Sequence, residues 1–164
     1  MAFRDGFTTE EWRTLQFAHF WVFKAVAGVD KNIDTEEQIA LHNIMENGSK
    51  FENPLAREIM MGLEFNIDGI SAAFADDRRS IDQGLIDVAD LLDKKIDKEI
   101  ALNFKKTLLA IGIAIGQASG KWFASKFSKE EVAALKEAGL LLRVSEQDLL
   151  KPPLLNDIIQ TFSK

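Results

Sequence analysis

Proline stands at only three positions in the chain, Pro54, Pro152 and Pro153. Its ring removes a backbone donor and clashes with the preceding turn, at a cost of ~3 kcal/mol or more inside a helix. Confining it to two places leaves long uninterrupted stretches free to be helical. No stretch alternates polar and apolar residues with the period of two that a half-buried strand requires. Alanine, leucine, isoleucine, glutamate and lysine are plentiful, and all but isoleucine rank high in helix propensity. The expectation is an all-α chain.

Capping residues divide it. Thr8-Thr9-Glu10-Glu11 has capping-box spacing, a hydroxyl followed three residues later by a carboxylate, and predicts a helix from about residue 8 or 9 to 27, stopped by Gly28. Trp12, Leu15, His19, Val22 and Val26 form one stripe of it, and Phe17, Phe20, Trp21 and Phe23 widen the apolar surface, so burial on more than one side is expected. Asp34-Thr35-Glu36-Glu37 opens a second helix, with Ile39, Leu41, Ile44 and Met45 apolar and a stop at Asn47-Gly48-Ser49. Asn53-Pro54 starts a third, over residues 55–75, with a break or bend near Asn66 and Gly69. Ser80 caps the next, and Asp97 caps a helix over residues 98–118.

That last helix carries two rows of small residues, Ala110, Ala114 and Ala118, and Gly112, Gly116 and Gly120. Glycine costs about 1 kcal/mol in a helix interior. Close approach of neighbouring backbones is the compensation, which places this helix at the centre. Ser128 caps a further helix to about residue 142, and after Lys151-Pro152-Pro153 an amphipathic tail, residues 152–164, presents Leu154, Leu155, Ile158, Ile159 and Phe162 on one face. A free tail of this kind would leave a large apolar face wet. It is expected to dock on its own domain, or to serve another protein or a second copy of the chain.

A chain of 164 residues makes one domain, residues 1–164, read as a single compact bundle of seven to eight helices. The 26 acidic and 20 basic residues give a formal charge of −6, which argues against nucleic acid and against anionic membranes as partners. Zero cysteine excludes disulfides and zinc–thiolate sites. The longest nearly apolar run, residues 107–118, is shorter than the about 20 residues a membrane span needs, so no membrane insertion is expected. Residues 1–6 hold no apolar signal core, and the expected location is cytoplasmic.

Two stretches repeat weakly. An apolar helix, Ala27-Gly28-Val29-Asp30-Lys31-Asn32-Ile33 and a helix opened by Asp34 and Glu37 correspond to an apolar helix, Ala118-Ser119-Gly120, a longer loop and a helix opened by Ser128 and Glu131. Asp34, Glu37 and Leu41 match Ser128, Glu131 and Leu135 at one offset. The first stretch resembles the characteristic Ala-x-Ala-Asp-Gly-x-Ile-Ser/Asp-x-x-Glu of the TerB-like family, small helical proteins associated with tellurite resistance. Asp30, Ile33, Asp34 and Glu37 match, while Val29 and Lys31 depart from it. The resemblance covers roughly residues 10–142. It implies an all-helical bundle with no established enzymatic activity and an acidic surface suspected of binding divalent cations. Lys31 puts a positive charge beside the candidate ligands.

Asp30, Asn32 and Asp34 occupy the first, third and fifth positions of an EF-hand, but Thr35 replaces the sixth-position glycine and Leu41 the twelfth-position glutamate, so that motif is rejected. A different site for Ca²⁺, Mg²⁺ or Mn²⁺ can use Asp30, Asp34 and Glu37, since hard cations take carboxylate oxygens. The competing reading makes Asp34 an N-cap, Glu37 its partner and Asp30 a solvated residue.

His19 and His42 lack the Glu-x-x-His spacing of a helical di-iron site; His19 is expected to be hydrogen-bonded and partly buried, His42 to lie at the surface. Gly120-Lys121 fails the phosphate-loop pattern at Ile115 and Trp122, and Gly69-Ile70-Ser71 lacks the closing glycine of a nucleophile elbow. Asp87, Asp90 and Asp93 share a helix face; that repulsion leaves room for a basic partner or cation, although a solvated face is the commoner outcome. The reading is a non-enzymatic, stress- or tellurite-associated protein that takes a divalent cation at Asp30, Asp34 and Glu37, or else a helical interaction module without metal.

Overall fold

In the computed structural model, residues 2–26, 35–118 and 129–162 are described. They form α1 (Thr9–Val26), α2 (Thr35–Glu46), α3 (Pro54–Phe65), α4 (Ile67–Asp76), α5 (Ile81–Lys95), α6 (Lys98–Ala118), α7 (Lys129–Leu142), α8 (Glu146–Leu150) and α9 (Leu155–Phe162), with short 3₁₀ turns at Phe3–Gly6 and Gly48–Lys50. The described residues contain no strand, and the all-α expectation holds.

Most helix starts follow from their caps. Thr8 Oγ1 accepts from the Glu11 amide (3.1 Å) and Glu11 Oε1 accepts from the Thr8 amide (2.8 Å), a complete capping box. Asn53 Oδ1 accepts from the Ala56 amide with Pro54 in the first turn of α3. Ser80 Oγ accepts from the Gln83 amide, but the Gln83 side chain turns to Asp87 at 2.7 Å, so that box is only half made. The caps expected at Asp34 and Ser128 lie outside the described residues.

Nine helices stand among the described residues, against the seven or eight expected. Residues 55–75 divide because Asn66 leaves helical geometry at φ −142°, ψ 44°. The ninth is α8, one turn held by reciprocal 3.0 Å bonds between Ser145 and Asp148. Five residues carry too little periodicity to announce a helix.

The core is built around α1 and α6. Helix α6 touches α1, α2, α3, α5, α7 and α9, the central place its small residues predicted; Ala110, Gly112 and Gly116 are buried. Gly120 lies outside the described residues. Helix α1 is buried on several sides: Trp12, Leu15, Phe17, Phe20, Trp21, Val22 and Phe23 are all core residues. Trp21 meets α5 at Gly84, where a Cβ would come within 2.3 Å of the indole, so only glycine permits this approach.

The two halves of the weak repeat pack reciprocally. The second helix of each unit lies on the first helix of the other, α2 on α6 and α7 on α1, and α1 lies on α6. The tail docks on its own chain: α9 packs on α6, Ile158 and Phe162 are buried, and the Phe162 ring lies 4.9 Å from that of Phe51. Leu154 remains exposed. No helix among the described residues is long and apolar enough to cross a membrane.

Candidate functional site

Asp30 and Asp34 fall in residues 27–34, outside the described residues, and Glu37 lies in the first turn of α2 with its side chain likewise outside. The helices on either side of residues 27–34 are described. Helix α1 ends at Val26 and α2 begins at Thr35, and both helices pack on α6. Among the described residues, no group of three or more His, Asp or Glu side chains comes together in a way that would hold a metal ion.

The acidic face of α5 is answered from within the chain. Asp87 takes Arg79 at 3.1 Å and Gln83 at 2.7 Å. Asp90 takes Arg143, and Asp93 takes Arg143 at 2.9 Å and Lys105 at 2.8 Å. The room that like-charge repulsion left for a basic partner is thus filled by Arg79 before α5, Lys105 of α6 and Arg143 at the end of α7.

Burial works against the Asp93 carboxylate, but the hydrogen bonds from Lys105 and Arg143 outweigh it and hold its pKa below the ordinary value. Lys105 is only 5% exposed, so Asp93 is the anion that makes its burial tolerable. This network borders a cleft of about 430 Å³ whose charged lining, Asp93, Lys98, Lys105, Arg143 and Asp148, is of mixed sign.

Arg143 occupies the left-handed region at φ 64°, where glycine is the usual residue. The Val144 amide reaches the Gly139 carbonyl at 2.7 Å and the Arg143 amide that of Leu140 at 3.1 Å, the paired bonds of a Schellman helix end. A side chain in this conformation costs about 1–2 kcal/mol. The guanidinium's bonds to Asp90 and Asp93 are the evident compensation.

Arg79 is anchored as firmly: its guanidinium meets Asp77 at 2.8 Å, donates to Thr14 Oγ1 at 3.1 Å and lies 4.8 Å from the Trp21 ring. Its hydrogen bonds hold the Asp77 carboxyl below its ordinary pKa. Sequence reasoning missed these cations because each pairs across a turn or across distant segments, and no local spacing signals that.

His19 corrects a second expectation. It is fully buried, not partly, and neither ring nitrogen has a hydrogen-bond partner. Burial pulls its pKa down to about 3, only weakly opposed by the nearby Gln16 backbone. The ring lies 4.0 Å from that of Phe20. His42 is exposed, as expected. Lys106 is also buried, its Nζ donating to the Lys151 carbonyl at 2.8 Å, and burial lowers its pKa.

No family profile matches the chain. No solved structure matches it. It is 30% identical over 145 residues to a Methanothermobacter thermautotrophicus protein described as "Uncharacterized protein ORF11'", across 87% of this chain and 93% of that one.

Proposed function

We propose, from the premise that this chain belongs to the family of protein ORF11' of Methanothermobacter thermautotrophicus, that it is a non-enzymatic cytoplasmic protein of the stress- or tellurite-associated kind. In this reading it takes a divalent cation at the acidic connection between α1 and α2. Asp30, Asp34 and Glu37 are the ligands, and Ca²⁺, Mg²⁺ or Mn²⁺ the ion, because hard cations favour carboxylate oxygens.

One observation supports the reading: α1 and α2, the helices on either side of the short acidic connection, both pack on α6. The reciprocal packing of the two helix pairs agrees with the weak internal repeat of the sequence. The rival acidic face of α5 is already neutralised within the chain. Calorimetric titration of the whole protein tests the proposal. Saturable binding of one of these ions that disappears in Asp30→Asn, with the melting temperature unchanged, is the expected result. Absence of heat with all three, or equal binding by the variant, contradicts it.

A second reading, an interaction module without metal, draws on α3. Phe65 is 92% exposed and Met61 54% exposed one turn before it, an apolar pair that nothing among the described residues covers. A protein that co-purifies through this face, together with silence in the cation titration, would favour that reading.

A further inference from the structure

A cleft of about 400 Å³ opens between the N-terminal 3₁₀ turn, the first half of α1 and the middle of α3. None of residues 27–37 lines it, so it stands apart from the cation reading. Its charged residues are Arg4, Arg13 and Glu58, which leave it positive in a chain whose formal charge is −6. Arg13 forms no hydrogen bond or ion pair with any described residue. The Arg4 guanidinium bonds only neutral oxygens, the Phe7 carbonyl at 2.9 Å and Thr9 Oγ1 at 3.2 Å. Glu58 is turned to the backbone: its two oxygens accept from the Phe3 and Arg4 amides at 2.8 and 2.7 Å. Two guanidinium groups thus border one cleft with no ion pair to either.

Trp12 borders the same cleft, and only 7% of it is exposed. Its indole N–H has no hydrogen-bond partner among the described residues, yet it is not one of the atoms sealed from solvent. The little of this side chain that stays open therefore includes an unspent donor, and an indole nitrogen can only donate. The Gln16 side chain, also in the lining, makes no hydrogen bond with any described residue and brings two more donors and one acceptor. Gly62 completes the wall formed by α3. A Cβ there would meet only Gln16 Nε2, at 3.7 Å, so no neighbour forces glycine on a helix interior that it weakens. What its missing side chain does provide is open space beside Trp12 and the arginines. The volume lies within the ~300–1,000 Å³ of small-molecule sites.

We infer that this cleft binds a small organic monocarboxylate with a flat apolar body. The Arg13 guanidinium takes the carboxylate through its fork of parallel donors, and the Trp12 indole N–H and the unspent Arg4 donors complete the cradle. The body lies over Gly62, where flat groups stack on the guanidinium planes and the indole. One negative charge balances the lining. A dianion would set its second charge against Glu58, and a neutral analogue would leave the guanidinium groups unanswered.

Titration of the full-length protein with sodium benzoate at constant ionic strength, followed by calorimetry and by the NMR signal of the Trp12 indole N–H, tests this. The expected result is saturable one-to-one binding that shifts that signal. Arg13→Gln should weaken it about tenfold or more, the scale of a lost charge-assisted hydrogen bond. Arg13 is exposed and unpaired among the described residues, so the variant's melt should match wild type. If it does not, Gly62→Leu gives the comparison: it fills the cleft with a better helix former and should weaken binding to the same extent. Four results would overturn the inference: no saturation, an unmoved Trp12 signal, equal binding by the folded variant, or benzamide binding as well as benzoate. Displacement of benzoate by equimolar inorganic phosphate would reduce the cleft to a bare cationic patch and overturn it too.

Discussion

An imidazole sealed in an apolar core titrates unlike one in water, and His19 makes the protein's stability depend on pH in a defined direction. Folded, it stays neutral down to about pH 3; its ordinary value is 6.5. Between these values the unfolded chain binds the extra proton and the folded chain does not, so stability is full above pH 6.5 and falls as pH drops toward 3, at about 1.4 kcal/mol per unit. His19→Leu removes this dependence together with two unpaired buried nitrogens. Denaturant melts at pH 6.5 and 5 should show wild type losing about 2 kcal/mol more than the variant. Asp77 and Asp93, whose folded pKa values are depressed, contribute stability that fades only as pH falls below about 4, and equally in both proteins. Parallel losses in the two proteins would show that His19 has a partner or is wet.

Between helices, the tightest described glycine contact is Gly84 of α5 against Trp21 of α1. Trp21 cannot easily yield, since Phe17 and Phe74 lie on it at 5.7 and 5.8 Å and Arg79 at 4.8 Å. Gly84→Ala should therefore cost about 1–3 kcal/mol despite its better helix propensity. A thermal melt at or above wild type would show that α1 and α5 separate without penalty.

This contact also marks where sequence reasoning stops. Glycines and alanines spaced four apart pointed to α6 as the centre, because a repeated row has a direction; a lone Gly84 gives no hint of its neighbour. Capping residues located α1, α3, α5 and α6 because a cap is a local event. The pairing of Asp90 with Arg143, 53 residues apart, and the isolation of His19 depend on tertiary packing that local spacing does not encode. Of the candidate cation site, the sequence supplied ligand chemistry and spacing, and the fold added only the anchoring of α1 and α2 on α6.

Among the described residues, the α1/α2 and α6/α7 helix pairs pack across each other, α5 lies against α1 and α7, and α9 covers one side of α6. Burying a side chain such as Ile158 or Phe162 is worth about 1.5–3 kcal/mol. Truncation after Leu150 should lower the melting temperature and raise binding of an apolar dye, because Phe51 and the α6 surface become wet. Unchanged dye binding would mean that α9 is not part of the core. A cation at the α1–α2 connection, and none on the acidic face of α5, is the proposal most open to direct measurement. Paramagnetic broadening of amide signals by substoichiometric Mn²⁺ reads both places at once. Selective loss of signals from residues 27–37, abolished in Asp30→Asn, is the expected result. Broadening centred on Asp90 and Asp93, or none at residues 27–37, would contradict it.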